Sequence, residues 1–168
     1  MDTQKRVIGA TEYVSIGKYM SIPAKIDTGA DASSIWASNI HVDKDGTLRF
    51  CLFGKDSPLY TGKIFKRTEF GVARVKSSNG TSQLRYRTHL TINIAGKLVR
   101  ANLYLADRST QAFPIIIGRR TISNKFLVDV SKKKIALQKP LRGGLNEELR
   151  ADPYGFHKKY VADNKELL

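Results

Sequence analysis

The chain carries at residues 22–30 the sequence Ile22-Pro23-Ala24-Lys25-Ile26-Asp27-Thr28-Gly29-Ala30. An apolar segment leads into Asp27, and Gly29 then permits a positive φ angle or the close approach of another backbone. Ala30 keeps the following position small. The stretch predicts a strand that ends by presenting an Asp carboxylate on a tight turn. The tripeptide Asp27-Thr28-Gly29 is a weak signal by itself, because short motifs arise by chance, so its setting decides the interpretation.

A second apolar stretch lies far downstream, at Phe113-Pro114-Ile115-Ile116-Ile117-Gly118-Arg119. It predicts a buried strand over residues 115–117 that ends at a glycine. A short helix is expected immediately afterwards, over residues 119–125.

Most of the remaining chain alternates apolar and polar residues with a period of two. Residues 83–94 predict a long antiparallel strand, which the turn Ala95-Gly96 joins to a second strand over residues 98–106. Ser77-Ser78-Asn79-Gly80 is a strong hairpin-turn signal after a strand at residues 72–76. Shorter strands are predicted over residues 6–9, 12–16, 21–27, 40–43, 48–53, 126–130 and 134–138. Many short strands with few helical segments indicate an all-β barrel or sandwich.

The two motifs together resemble those of the retropepsins, the dimeric retroviral-type aspartic proteases. In these an Asp-Thr-Gly-Ala turn is paired with a later apolar-apolar-Gly-Arg strand and a helix. The sequence is similar, more narrowly, to a bacterial retropepsin-like aspartic peptidase family once labelled ATP-dependent zinc proteases. That family is often found with ATP-grasp peptide ligases of the ribosomal-protein glutamate ligase type. Residues 27–30, 75–80 and 114–119 carry the likeness, which spans most of residues 6–138.

The resemblance implies a closed, retropepsin-like β-barrel with a short helix after Gly118-Arg119. We expect residues 1–139 to form this domain. After Leu137 the pattern loses its period, so residues 140–168 are predicted to be a C-terminal extension or tail, partly helical within residues 146–150. An insertion around residues 41–70 makes the segment between the two motifs longer than in viral retropepsins.

A single Asp-Thr-Gly turn supplies only half of an aspartic protease active site. The chemistry needs two carboxylates close enough to share one proton, so that one activates water and the other polarises the peptide carbonyl. A two-fold homodimer supplies Asp27 twice, on the symmetry axis. The resemblance implies that Thr28 forms hydrogen bonds across that axis, with Asp27, Thr28 and Gly29 as the catalytic turn.

The resemblance also assigns supporting residues around the turn. Ala30 and Ile117-Gly118-Arg119 are expected to buttress it, and Asp31 to pair with Arg119; the alternative is that Asp31 and Arg119 are ordinary surface charges. The hairpin turn Ser77-Ser78-Asn79-Gly80 is the candidate substrate-binding flap. An ordinary structural hairpin and a lid formed by residues 54–58 remain the alternatives.

The charge balance is strongly positive, since 29 Lys and Arg residues face 15 Asp and Glu residues, a net charge of +14. Such an excess attracts nucleic acid, an anionic membrane or an acidic substrate. No nucleic-acid-binding motif or aromatic stacking platform is present, which disfavours nucleic acid as the partner. Arg74, Lys76, Arg85 and Arg87 lie near the candidate flap and favour an acidic peptide, such as a glutamate-rich tail made by the associated ligase.

The residues do not support the zinc in the older family label, and no metal or cofactor is expected. His41, His89 and His157 are isolated in sequence, and the one cysteine, Cys51, fits a buried strand position in a reducing compartment. No segment approaches the roughly 18 apolar residues of a membrane span, and the N-terminus leads into no signal-peptide region. We therefore expect a cytoplasmic protein without membrane association, the alternative being that a leader was removed ahead of this sequence.

The leading functional hypothesis is an aspartic endopeptidase that hydrolyses a peptide bond with water activated by two Asp27 carboxylates. The alternative is a catalytically silent module of the same fold that binds and regulates an ATP-grasp ligase. The intact Asp27-Thr28-Gly29 sequence favours the first, because a fold kept only for binding has no need of this carboxylate.

Overall fold

The computed structural model describes residues 5–76, 82–136 and 144–163, and of Lys76 and residues 160–163 it describes the backbone. Its internal contacts divide the chain into two units, Met1–Ala136 and Leu137–Leu168. The described part of the first unit is built mainly from strands. These are β1 (Arg6–Ile16), β2 (Tyr19–Asp27), β3 (Ser33–Val42), β4 (Leu48–Leu52), β5 (Ile64–Arg67), β6 (Gly71–Lys76), β7 (Ser82–Ile94), β8 (Lys97–Ala106), β9 (Ile115–Gly118) and β10 (Phe126–Lys133), with a short helix, α1 (Arg119–Ile122).

Six of these strands close into a barrel. Around the ring, β1 pairs with β2, β2 with β9, β9 with β3, β3 with β8, β8 with β7, and β7 again with β1. The β2–β9 and β3–β8 pairings are parallel, whereas the other four are antiparallel. This closed barrel confirms the predicted all-β fold, and α1 follows the Gly118 strand as expected.

Two single strands and an antiparallel strand pair extend from the barrel. β10 continues the sheet beyond β1, and β6 continues it beyond β7, while β4 pairs with β3 and β5 with β4. β4 and β5 lie within the predicted insertion at residues 41–70. The insertion therefore forms sheet structure rather than an irregular loop.

The barrel encloses an apolar core. Alternate residues of each strand point inward, so the ring buries a continuous set of branched aliphatic side chains. Ile22, Ile35, Ile92, Leu103 and Ile115 are each 0% exposed.

The turn between β7 and β8 has the backbone conformation expected of a tight hairpin turn. Ala95 and Gly96 have φ angles of 48° and 79°, and Ile94 faces Lys97 across the pair. Two consecutive positive φ angles suit a two-residue hairpin, because they match the right-handed twist of the strands. The predicted hairpin is confirmed.

Several predicted strand boundaries were wrong. Residues 6–9 and 12–16 form one strand with a register shift at Gly9, where an added Cβ would lie 2.4 Å from the Lys132 carbonyl oxygen. The glycine thus admits a close approach of β10. Most of β3 was missed, because its first half is rich in serine and alanine rather than in alternating apolar residues.

The strand predicted at residues 134–138 is absent from its described part, residues 134–136. There the backbone N–H and carbonyl of Ile135 bond to the hydroxyl of Thr11 rather than to another strand, at 2.9 and 2.8 Å. Hydrogen bonds to the buried Thr11 hydroxyl thus take the place of the strand pairing that the alternating pattern predicted.

The described part of the second unit contains two helices, α2 (Leu145–Ala151) and α3 (Pro153–Asp163). α2 agrees with the helical segment expected within residues 146–150, whereas α3 was not predicted. In both units, no described helix has the length and apolar character needed to cross a membrane.

Removing a core side chain tests this packing. We expect Leu103→Ala to lower the free energy of unfolding by about 2–5 kcal/mol, because it leaves a cavity inside a closed barrel. Leu98→Ala is the matched control, since Leu98 lies on the same strand but is 70% exposed. Denaturant titrations at one protein concentration measure both, and equal losses would contradict the assigned core.

Candidate active site

Asp27 lies at the end of β2, where the barrel brings the two sequence motifs together. Its Cα pairs in register with that of Gly118, the last residue of the parallel strand β9. Parallel neighbours deliver their carboxyl ends to the same edge of the sheet. This pairing explains how residues that are distant in sequence form one site.

The carboxylate of Asp27 is held by its own turn. Its Oδ1 accepts hydrogen bonds from the backbone N–H groups of Gly29 and Ala30, both at 3.1 Å. Its Oδ2 lies 3.6 Å from the Lys25 ammonium. These bonds fix the carboxylate plane, while 28% of the side chain stays exposed.

Thr28 and Gly29 lie at the exposed tip of the turn. The φ angle of Gly29 is not positive, contrary to one of the two reasons offered for a glycine there. An added Cβ at Gly29 would lie 3.4 Å from Asp27 Oδ1, an ordinary van der Waals contact, and would meet no backbone of another described segment within 4 Å.

Gly118 makes the closest backbone contact of the site. A Cβ added to it would lie 2.4 Å from the Ala32 carbonyl oxygen and 2.9 Å from that of Ala30. Real Cβ atoms do not tolerate such distances, so only glycine fits here. The chain after Asp27 is therefore packed directly against the end of β9.

Two buried hydroxyls, missed from the sequence, complete this contact. The Gly118 N–H donates to Ser33 Oγ at 2.9 Å, and Ser33 Oγ lies 2.8 Å from Thr121 Oγ1. Ser33 and Thr121 are buried polar residues whose hydrogen bonds offset their desolvation. No pattern in the sequence marks these two residues, because small hydroxyl residues are common on surfaces.

The predicted ion pair between Asp31 and Arg119 is present. Arg119 Nε donates to Asp31 Oδ1 at 3.0 Å, and Arg120 Nη2 lies 2.6 Å from Asp31 Oδ2. The Arg119 hydrogen bond, with help from Arg120 and against some desolvation, holds the pKa of Asp31 below its ordinary value of 3.8. The backbone N–H of Arg119 also donates to the Ala30 carbonyl at 2.8 Å. Side chain and backbone together tie α1 to the residues after the turn.

The outer face of the barrel beside Asp27 carries a row of residues from three strands. Lys25, Ile116 and Ser34 are neighbours in register on β2, β9 and β3. Each lies between two residues with buried or inward-facing side chains, so all three point outward, as Asp27 does. This row extends the site across the sheet.

Arg108 is a second feature that was not predicted. Its guanidinium donates to the Phe113 carbonyl at 2.9 Å and to Ser34 Oγ at 3.3 Å. Burial, and then the nearby charge of Arg85, lowers the pKa of Arg108 from its usual value. Arginine nevertheless stays protonated at neutral pH. A fixed positive charge thus lies at the end of the row.

The other predicted residues have separate positions. Ile117 is fully buried beneath the site. The candidate flap, Ser77, Ser78, Asn79 and Gly80, lies outside the described residues, although β6 and β7 pair up to Lys76 and Ser82 on either side of it. The alternative lid, residues 54–58, is a turn whose Gly54 packs against the Trp36 ring. Among the described residues, no three His, Cys, Asp or Glu side chains cluster as a metal site would require.

A closed barrel that presents an Asp-Thr-Gly turn beside an apolar-Gly-Arg strand has the architecture of a retropepsin-like protein. The family described as retropepsin-like aspartic endopeptidase RimB matches residues 7–139. The chain belongs to this RimB-like family.

Curated relatives of similar sequence are named as ligases. Two proteins named "Probable alpha-L-glutamate ligase", from Shewanella pealeana and Shewanella halifaxensis, are 33% and 32% identical over 137 residues. Each match covers 79% of this chain but 30% of the relative. The chain thus spans less than a third of the length of these relatives.

A solved structure of a Legionella pneumophila protein of unknown function is also similar. It shares 25% identity and superposes with a TM-score of 0.59, covering 77% of this chain and 97% of that one. The similarity supports the same fold.

The ion pair at Asp31 predicts a measurable titration. We expect the Asp31 carboxyl to titrate below pH 3.8, and Arg119→Met to raise its midpoint more than Arg120→Met does, because the Arg119 bond is the largest cause of the shift. Since the folded-state pKa is the lower one, the contribution of Asp31 to stability is present above pH 3.8 and is lost as the pH falls through that pKa. Carbon-detected NMR of the side-chain carboxyls measures this, and an unshifted midpoint would contradict the pairing.

Proposed function

We propose that the protein is an aspartic endopeptidase whose active site forms from two Asp27 turns, one from each subunit of a homodimer. The observation that carries the proposal is the geometry of Asp27. One of its carboxylate oxygens is fixed by two backbone N–H groups, and the turn that bears it is exposed. Among the described residues, none of the hydrogen bonds and ion pairs of Asp27 involves another carboxylate. A second copy would supply it.

In this mechanism the two carboxylates share one proton. Two like charges about 3 Å apart do not both ionise at low cost, so one stays protonated. The ionised member takes a proton from the attacking water, and the protonated member polarises the peptide carbonyl. The backbone bonds to Oδ1 keep each carboxylate oriented without rearrangement, and Oδ2, which lies 3.6 Å from the Lys25 ammonium, would face the partner and the water.

The surroundings of Asp27 support this assignment. Thr28 lies at the exposed tip, where it would reach the second subunit, and the Gly118 contact braces the turn from behind. Asp31 and Arg119 hold the following residues in place. The flap role of Ser77, Ser78, Asn79 and Gly80 is part of the proposal, with β6 and β7 as the arms of the hairpin.

We propose that the substrate is an acidic peptide, with glutamate-rich sequences as the leading class. Lys25 and Arg108 both lie on the outer face that carries Asp27, and Arg108 has no ion pair with a described carboxylate. Strands lie about 4.8 Å apart and rise about 3.3 Å per residue, which places Ser34 roughly 12 Å from Asp27. Three or four extended residues span that distance. A peptide cleaved at Asp27 could therefore reach Arg108.

The likeness to glutamate ligases favours a second candidate function. In those relatives a segment similar to this chain is part of a longer protein named a ligase. A module of this fold could bind an ATP-grasp ligase and regulate it without cleaving peptides. Under either function we place residues 1–139 as the functional domain, residues 140–168 as an extension, and the protein in the cytoplasm.

Replacement of the proposed catalytic carboxylate separates these functions. We expect Asp27→Asn to lower peptide cleavage at least about 100-fold, because the amide cannot act as a base while its shape is kept. Asp45→Asn, in the β3–β4 turn, is the control for a lost surface carboxylate. Cleavage of a peptide mixture is followed by mass spectrometry. Full activity in Asp27→Asn would sink the proposal, whereas an unchanged effect on a ligase would favour the binding module.

The role of Arg108 gives a separate prediction about substrate choice. We expect Arg108→Gln to lower kcat/KM for a glutamate-rich peptide about tenfold or more, and to change that for a neutral peptide little, because a charge-assisted hydrogen bond is lost. Arg108→Lys should restore part of the preference. Arg67→Gln, on β5, is the matched control. Equal losses on both peptides would assign Arg108 a structural role only.

A further inference from the structure

A cavity of about 180 Å³ lies beside α1 on the outer face of the barrel, where Tyr104 and Arg87 continue the row formed by Lys25, Ile116 and Ser34. Its walls carry Arg87 and His89 from β7, Arg100 and Asn102 from β8, and Arg120 from α1. An adjoining cavity of about 270 Å³ shares the four residues of β7 and β8. The register of β7 and β8 brings these side chains together, because His89 faces Asn102 directly across the strand pair.

The charges around this cavity are unbalanced. Neither Arg87 nor Arg100 forms an ion pair or a side-chain hydrogen bond with a described residue. Glu69 is the one acidic residue that lines either cavity in the described part of the chain. Arg120 pairs with Asp31 through Nη2, and a guanidinium has five N–H donors. Donors are therefore left over on three arginines from three different elements.

Gly71 positions one of these arginines. It faces Arg87 across the β6–β7 pair, and an added Cβ would lie 2.9 Å from Arg87 Nε and 3.4 Å from its Cγ. The absence of a side chain lets Arg87 lie flat against β6 and brings its guanidinium to the cavity. A fixed guanidinium loses less entropy when it binds a ligand.

We propose that this cavity binds a phosphate-class oxyanion, either free phosphate or the phosphate group of a small molecule. A tetrahedral oxyanion presents acceptors in several directions, which suits donors that arrive from β7, β8 and α1. A planar carboxylate, in contrast, forms its strongest, bidentate hydrogen bonds with one guanidinium at a time. Asn102 adds an uncharged donor to the same wall.

The position of the site links it to the Asp27 turn. Ser33 and Thr121 also line the cavity; Ser33 Oγ accepts the Gly118 N–H, and the Thr121 hydroxyl bonds to Ser33 Oγ. Arg120 contacts both the cavity and Asp31. A bound anion would thus contact the same side chains that brace the turn. The proposal goes beyond the peptidase function and does not rest on it, because its test is a binding measurement.

The experiment is calorimetric titration of the full chain with inorganic phosphate, with a nucleoside diphosphate and with tetraglutamate, all at one ionic strength. We expect phosphate or the diphosphate to bind, and Arg100→Gln to weaken that binding about tenfold or more. Gly71→Ala should also weaken it, by displacing Arg87. Arg74→Gln is the control, because Arg74 alternates with the lining residues to the other face of the same hairpin.

The outcomes separate the sources of the ligand. Equal affinity for the two phosphate ligands would assign the site to free phosphate, and tighter binding of the diphosphate would assign it to a larger molecule. Binding of tetraglutamate alone, no binding of either phosphate ligand, or equal weakening by Arg74→Gln and Arg100→Gln would each overturn the proposal. Thermal unfolding of each variant establishes that it is folded.

Discussion

The contact between Gly118 and the chain after Asp27 is the constraint on which the site depends. An added Cβ there would lie 2.4 Å from the Ala32 carbonyl oxygen, so the end of β9 touches the segment that leaves the Asp27 turn. Ser33 accepts the Gly118 N–H, and Arg119 donates to the Ala30 carbonyl. One backbone junction therefore sets the position of the turn, the start of α1 and the ion pair at Asp31. The Asp27 carboxylate is held by backbone geometry, and charged side chains add only orientation.

Positive charge gathers near this junction in two groups. In the first, Lys25 and Arg108 share the outer face with Asp27, and Arg108 is held in place by Ser34 and a backbone carbonyl. In the second, Arg87, Arg100 and Arg120 line a cavity further along the same strand row. Exposed ion pairs contribute little to stability. The excess of arginine and lysine is more useful for binding anions than for holding the barrel, which rests on its aliphatic core.

Local sequence was enough to predict the features that depend on neighbours in the chain. The Asp27 turn, the Ala95-Gly96 hairpin and the apolar strand ending at Gly118 each have a short signature, and the resemblance added the Asp31–Arg119 pair. Features set by strand register were not predictable. The bond from the Gly118 N–H to Ser33 depends on the packing of β9 beside β3, and Arg108 reaches the site through Ser34 on β3. The cationic cavity likewise arises from pairing between β7 and β8, and its residues look like ordinary solvated positions in the sequence.

The central claim is that each active site contains Asp27 from two chains. Mixing tests it most directly: unmodified and Asp27→Asn chains are unfolded together, refolded in varied proportions at one total concentration, and assayed for peptide cleavage. If mixed dimers are inactive, activity falls as the square of the unmodified fraction, to about a quarter in an equal mixture. A linear fall, to about half, would show that one chain carries a complete site and would contradict the account.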